Sequence, residues 1–172
     1  MKNKMLLLYV WFVRTILFCF PDMPIVMRFR GWLYGLGMKE CGKDFQVTHD
    51  AIIKDLQGIS IGTHVFIGNH AVVMGSGTII IEDEVMLAPH VILISGNHKS
   101  TNGSYRYGKG EYGTIRIGKG AWIAANSTVQ KDSALPRNSV LAANSFLNKE
   151  FTEEDSFYGG VPAKFLKRNS NA

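Results

Sequence analysis

From Ile61 to Leu147 an aliphatic residue returns at every sixth position, and no other feature constrains the fold as tightly. The series reads Ile61, Ile67, Val73, then slips by two to Ile81, Leu87 and Leu93. After a gap it resumes at Ile117, Ile123, Val129, Leu135, Leu141 and Leu147. Ordinary composition makes such a position aliphatic roughly one time in four, so twelve in succession mark a structural repeat. The fourth residue after most of them is small or β-branched: Val65, Ala71, Val85 and Val91, then Ala121, Ser127, Ser133, Ser139 and Ser145. A period of six matches neither an amphipathic helix nor an alternating strand. It matches a coiled ribbon with one short strand and one turn per hexad, the aliphatics pointing to a shared axis. The expectation is an all-β parallel β-helix of hexapeptide repeats, a solenoid that buries a core only by stacking its coils.

With 172 residues the chain has room for one domain. We divide it into an N-terminal helical segment (1–40), the β-helix (41–158) with an excursion at about 95–115, and a C-terminal tail (159–172). Net charge is +5, with Lys149, Lys164, Lys167 and Arg168 gathered near the C-terminal end, a surplus that suits an anionic ligand. No basic patch interleaved with aromatics is visible, so nucleic acid is not expected as a partner. Cys19 and Cys41 lack metal-ligand spacing and read as reduced thiols of a cytoplasmic protein.

Residues 5–20, MLLLYVWFVRTILFCF, are almost wholly apolar, broken by Arg14 and followed by Pro21. Such a stretch is shorter than the ~20 residues a membrane-crossing helix needs. Lys2 and Lys4 precede it as in a secretory signal, but no small-x-small cleavage site follows and Phe18 and Phe20 are bulky. A second segment, 25–38, carries Arg28, Arg30, Trp32 and Tyr34, residue types that favour a membrane interface. Two readings stay open. The segment either caps the open end of the solenoid or packs between subunits, or it lies on a membrane surface, at the inner face of a membrane for a cytoplasmic protein.

Between Leu93 and Ile117 the hexads stop in a stretch rich in Gly, Asn, Ser and Lys. Long loops within compact domains are usually functional. His98 stands at its base, beside Gly96 and Asn97, where rigid backbone would hold an exposed imidazole as a general base.

The hexads, the loop opening with Gly96-Asn97-His98, the segment IGKGAWIAANSTV (117–129) and the ending YGGVPAKFLKR (158–168) resemble the hexapeptide-repeat O-acetyltransferases. Similar members are the galactoside and maltose acetyltransferases and the capsular or lipopolysaccharide sugar acetyltransferases. The resemblance covers about residues 30–168. It implies a left-handed β-helix, a homotrimer with active sites between subunits, acetyl-CoA as donor, no required metal, and a sugar or polysaccharide-precursor hydroxyl as acceptor. It assigns His98 as general base and a backbone N–H at Ala125 as an oxyanion donor. Near copies at 123–127 (IAANS) and 141–145 (LAANS) lie 18 residues apart, three hexads, so Ala125 and Ala143 should stack and leave a groove for the pantetheine arm. The resemblance also sets Asn148 and Lys149 near the cofactor and Lys164 and Lys167 near its phosphates. Gly159 to Pro162 would form the turn that folds the tail over the groove.

The acceptor side departs from the pattern. Where the relatives carry an Asn and an Asp, strict matching finds Gly68 and Ser76. Asn69, one residue off, is a candidate substitute, although neighbouring strand residues point to opposite faces. Tyr105 and Tyr107, with Arg106 between them, are candidate acceptor contacts. Three other functions fit the same fold. One is N-acetylation of an amino sugar. A second is a carbonic-anhydrase-like metal site built from His64, His70 and His90, of which His70 and His90 should stack at one corner. The third is a scaffold without chemistry.

Overall fold

In the computed structural model, which describes residues 2–169, each hexad forms one short strand and one turn, and three hexads close a triangular coil. Stacked coils make three parallel sheets. The first face is built from Glu40–Cys41, Ile59–Ile61, Thr78–Ile81, Thr114–Ile117 and Ser133–Leu135. The second stacks Gln46–Val47, Phe66–Ile67, Met86–Leu87, Trp122–Ile123, Val140–Leu141 and Ser156–Gly159, and the third Ile52–Lys54, Val72–Met74, Ile92–Ile94, Thr128–Gln130 and Phe146–Leu147. The result is a left-handed parallel β-helix of about six turns. Its axis is filled by the repeating aliphatics, all of them buried, together with Val47 and Ile53 of a first coil that precedes Ile61. Each such side chain contributes about 1.5–3 kcal/mol by leaving water.

The coils are not all three hexads long. Ile117 pairs with Leu135 and Val129 with Leu147, eighteen residues on, but Ile59 pairs with Ile79 and Ile53 with Val73, twenty on. The extra pair of residues enters at the corner between the third and first faces, at Asp55–Gly58 and again at Gly75–Gly77. The excursion after Ser95 leaves from that corner too. Here Ser95 Oγ accepts from Gly77 N–H (2.9 Å) and donates to the Met74 carbonyl (3.1 Å).

Corners turn by placing one residue in the left-handed region. Asp44, His64, Glu84 and Asn138 do so between the first and second faces, and His70, His90, Asn126 and Asn144 between the second and third. Asn and Asp tolerate that conformation best. Ser127, Ser133, Ser139 and Ser145 point inward, yet each hydroxyl finds a backbone partner, so the last coils carry no orphaned hydroxyl on the axis.

Two helices, α1 (Lys2–Leu17) and α2 (Pro24–Gly35), close the N-terminal end. Val10, Val13, Leu17 and Tyr34 join the solenoid core with Phe45 and Leu56. Arg30 and Tyr34 are therefore not interface residues: Arg30 is 1% exposed and donates to the carbonyls of Val47 (2.5 Å), Leu17 (3.2 Å) and Phe20 (3.3 Å) and to Asp22 (3.2 Å). Burial pushes the Tyr34 hydroxyl up to about 12. Arg28 and Trp32, in contrast, face outward. Among the described residues no helix is long and apolar enough to cross a membrane.

Candidate active site

The excursion folds into an antiparallel hairpin, Gly96–His98 against Gly110–Tyr112, with His98 directly opposite Gly110. Its base is tied to the solenoid by Gly113 N–H to the Ser95 carbonyl (2.9 Å) and Thr78 N–H to the Gly113 carbonyl (2.9 Å). Glu111 adds ion pairs to Lys99 (3.4 Å) and Lys131 (3.8 Å). The His98 backbone N–H donates to Asn97 Oδ1 (2.8 Å), and its exposed ring has no hydrogen-bond partner among the described residues. An imidazole so placed is held by its backbone and open to a substrate proton.

Paired residues of a hairpin share a face, so His98, Gly110, Gly96 and Tyr112 lie on one side of it. The Tyr112 ring lies across that side: a Cβ on Gly110 would sit 2.3 Å from the Tyr112 hydroxyl. Glycine at 110 is what lets the phenol reach the position beside His98. Tyr112 also lines a cleft of ≈ 340 Å³ with Asp55, Ser76, Gly77 and, from α1, Leu6 and Val10. That volume lies in the range of small-molecule sites. Ser76 Oγ donates to Asp55 Oδ2 (2.8 Å), so serine and carboxylate stand together at the cleft. Tyr112 was not singled out from sequence because nothing in a loop marks which of its three tyrosines turns back to the scaffold. Tyr105 and Tyr107 sit further out and are strongly exposed, with Arg106 Cζ 5.8 Å from the Tyr107 ring.

Ala125 and Ala143 occupy one corner, between the second and third faces, in adjacent coils. The Asn144 N–H donates to the Ala125 carbonyl (3.0 Å), and the coils beside them pair Trp122 with Val140 and Thr128 with Phe146. Beneath them Ser127 Oγ donates to the Ala142 carbonyl (2.8 Å) and accepts from Ser145 N–H (3.2 Å). At equivalent corner positions a carboxylate takes the free N–H: Asp22 for His49, Asp83 for Thr63, Glu82 for Lys119. The N–H groups of Ala125 and Ala143 have no acceptor among the described residues. An open N–H alone is not distinctive, since those of Asp83 and Arg137 are also free. Two open donors beside two stacked methyl groups are.

The tail turns back through Gly159 and Gly160 and a cis Val161–Pro162 bond, and Lys164–Arg168 pairs antiparallel with Ser156–Gly159 on the second face. Gly160 N–H donates to Ser145 Oγ (3.0 Å) and Ala163 N–H to the Phe146 carbonyl (2.7 Å), which fixes the turn just above Ala143. Lys164 and Lys167 are exposed on that strand, Lys167 Nζ 5.2 Å from the Phe157 ring. Arg168 pairs with Glu153 (3.4 Å). Asn148 and Lys149, both exposed, stand at the corner between the third and first faces, where the His98 hairpin also emerges. One chain thus brings Ala125, Ala143 and the basic tail to one side, and His98, Tyr112, Asn148 and Lys149 to another corner.

Asn69 lies below Ala125 at the alanine corner, but its amide is engaged. It donates to Asp22 Oδ2 (3.3 Å) and to both Asp50 oxygens (3.3 and 3.4 Å), in a network that ties the linker between the helices to the first two coils. Burial raises the Asp50 carboxyl, but hydrogen bonds from the His70 N–H and the Asn69 amide outweigh it, and the group is held below its ordinary value. His70 and His90 do stack, ring centroids 4.8 Å apart, as turn residues of successive coils. His64 turns the neighbouring corner and pairs with Asp44 (2.9 Å), away from that stack. Among the described residues no three His, Cys, Asp or Glu side chains could hold a metal ion together.

No protein-family model matches the chain. Solved structures do. A maltose O-acetyltransferase from Clostridium difficile 630 superposes with a TM-score of 0.79 at 21% identity, over 97% of this chain and 89% of that one. Galactoside acetyltransferase in complex with coenzyme A gives 0.79 at 20% identity, over 95% and 82%. A hexapeptide-repeat acetyltransferase from Vibrio cholerae O1 biovar eltor, complexed with acetyl coenzyme A, gives 0.75 at 23% identity, over 92% and 86%. At such identities the likeness establishes a shared fold along nearly the whole chain.

Proposed function

We propose that this chain is an acetyl-CoA-dependent O-acetyltransferase that acts on a sugar or polysaccharide-precursor hydroxyl, with His98 as general base. The observation that carries the reading is the His98 hairpin: an unpaired imidazole, lifted from a rigid solenoid and set beside the Tyr112 hydroxyl at the mouth of a cleft. The likeness to coenzyme A-bound acetyltransferases supports the donor.

The pantetheine arm runs along the Ala125–Ala143 corner, where bulkier side chains would fill the groove. Lys164 and Lys167 meet the phosphates as mobile point charges, and Asn148 and Lys149 contact the cofactor from the other corner. Because His98 and the alanines lie on different corners of one chain, the site is completed between protomers: the hairpin of one reaches the alanine corner of its neighbour in a homotrimer. The acceptor hydroxyl enters the cleft lined by Tyr112, Asp55 and Ser76, with Tyr105 and Tyr107 at its outer rim. Asn69 serves the network below the groove.

In the reaction a ring nitrogen of His98 takes the acceptor's hydroxyl proton as its oxygen bonds to the thioester carbon. The Ala125 N–H donates to the developing oxyanion, a contact worth ~3 kcal/mol when preorganised. Collapse breaks the carbon–sulfur bond, and the imidazolium returns the proton to the departing CoA thiolate. The test follows thiol release from acetyl-CoA with a panel of sugars, for the parent protein and His98→Ala. The expected loss in kcat is ~10²–10⁴-fold with CoA affinity unchanged. Equal turnover in both proteins would remove His98 from the mechanism, and an alkali-resistant amide product would move the reading to N-transfer.

A further inference from the structure

Among the described residues nothing packs over the apolar outward face of the two N-terminal helices, and its character is unlike the rest of the surface. Among the described residues, thirteen of the twenty-one exposed large apolar side chains lie between Met5 and Leu36. Met5, Leu8 and Phe12 line one side of α1 and Ile25, Phe29 and Trp32 one side of α2, opposite the inward Val10, Val13, Leu17, Arg30 and Tyr34, and Phe18, Phe20 and Met23 continue the surface on the linker between the helices. Trp11 is 60% exposed, and the rings of Phe29 and Trp32 stack in the open at 5.8 Å. Patches of this size on a soluble surface mark an interaction site.

Charge says what covers it. Residues 1–39 hold Lys2, Lys4, Arg14, Arg28, Arg30 and Lys39 against a single acid, Asp22. The formal +5 of the chain therefore falls within this segment, and residues 40–172 are neutral in sum. Asp22 and the buried Arg30 pair with each other inside, and Arg28 pairs with Asp44, so the outer charge of the segment rests on Lys4, Arg14 and Lys39 with no acid of the segment to offset it. A second copy docking face to face would bring two such cationic patches together. An anionic lipid surface supplies both what the apolar side chains and what the cations need. Exposed tryptophans beside Lys and Arg are the anchors of helices that lie in a membrane interface.

We propose that α1 and α2 dock this protein on an anionic membrane surface, lying in the headgroup region through Trp11, Phe12, Phe29 and Trp32 without crossing it. The helices then serve two partners at once, the open end of the solenoid with their inner faces and lipid with their outer ones. Because α1 also lends Leu6 and Val10 to the cleft that Tyr112 lines, docking sets that cleft at the bilayer. The inference does not depend on the acetyl-transfer reading.

The test is co-sedimentation of the full chain with vesicles of phosphatidylcholine alone and of phosphatidylcholine mixed with phosphatidylglycerol. In a Trp122→Phe background, the emission of Trp11 and Trp32 serves as a second readout. Expected are binding to the mixed vesicles that weakens with salt, a blue shift on binding, and a partition coefficient about tenfold lower or more in Trp11→Ser/Phe12→Ser. Both side chains are exposed, so the variant keeps its circular dichroism and Tm. Three results overturn the proposal: no vesicle binding, binding that the double substitution leaves unchanged, or a change of oligomeric state in the double variant, which would make the face a contact between copies.

Discussion

Ser127→Ala isolates what holds the alanine corner in place. The Ser127 hydroxyl is fully buried, donates to the Ala142 carbonyl at 2.8 Å and accepts from Ser145 N–H at 3.2 Å, so its removal strips two buried backbone groups of their partner. Each net bond is worth about 1 kcal/mol, and an orphaned buried donor or acceptor about 1–3. The expected loss is therefore about 2–4 kcal/mol. Ser127→Val separates hydrogen bonding from filling. One coil below, in register, the same inward position holds Val91, so valine fits the axis. Its two methyls return about 1.6 kcal/mol of burial at ~0.8 per methyl, but neither hydrogen bond. The order expected in urea denaturation, at fixed protomer concentration, is wild type above Ser127→Val above Ser127→Ala. CoA affinity should fall in both variants, since the Ala125 and Ala143 donors are aimed by this bond. If both variants lie within about 0.5 kcal/mol of wild type, the inward serines do not organise the corner and the reasoning fails.

Ala143→Trp should fill the groove and raise the Kd for CoA about tenfold or more, roughly 1.4 kcal/mol. Its Tm should be unchanged because Ala143 is exposed; calorimetric titration and thermal melts read the two effects. Removing Lys164 and Lys167 together should weaken CoA about two- to tenfold and flatten the salt dependence of binding, as expected for exposed charge pairs. Asp50→Asn should lower stability by about 1–2 kcal/mol at neutral pH. The Asp50 carboxyl is held below its ordinary value in the fold, so its contribution is complete above about pH 4 and is lost as pH falls through the lowered value. The gap between wild type and Asp50→Asn should stay level from pH 7 to 5 and close only in stronger acid; a gap that widens on acidification contradicts the assignment.

The solenoid was legible because a coil with one strand and one turn per hexad needs an aliphatic at a fixed beat, and Ile117 to Leu147 keep it without a slip. The first coil was harder to see. Val47 and Ile53 keep the beat, but its opening position is Cys41, exposed at the solenoid's end. The two-residue slip between Val73 and Ile81 was visible, whereas its partner between Ile53 and Ile61 was not. Only the pairing of Ile53 with Val73 reveals that the slips share a corner with the excursion. The spacing of Ala125 and Ala143 served as a ruler because coils in that half are eighteen residues long. Spacing could not show that Asn69 is bound to Asp22 and Asp50, since that network joins residues from an interhelical linker and two coils. Nor could it show that Arg30 and Tyr34 turn inward, because helix positions 28 and 32 face the opposite way on the same α2.

The central claim, a catalytic site shared between chains, is tested most directly by subunit complementation. Assayed at acetyl-CoA well below its Kd, His98→Ala is expected to be inactive as a homotrimer and Ala143→Trp to keep about a tenth of wild-type activity or less. Co-expressed at equal levels and mixed at random, a site formed by the intact His98 hairpin of one chain and the intact corner of the next arises at about one in four interfaces. The account predicts recovery of about a quarter of wild-type acetyl transfer. If the site lay within a single chain, no mixed trimer would contain an intact one, and activity that stays at the level of the separate variants would contradict the account.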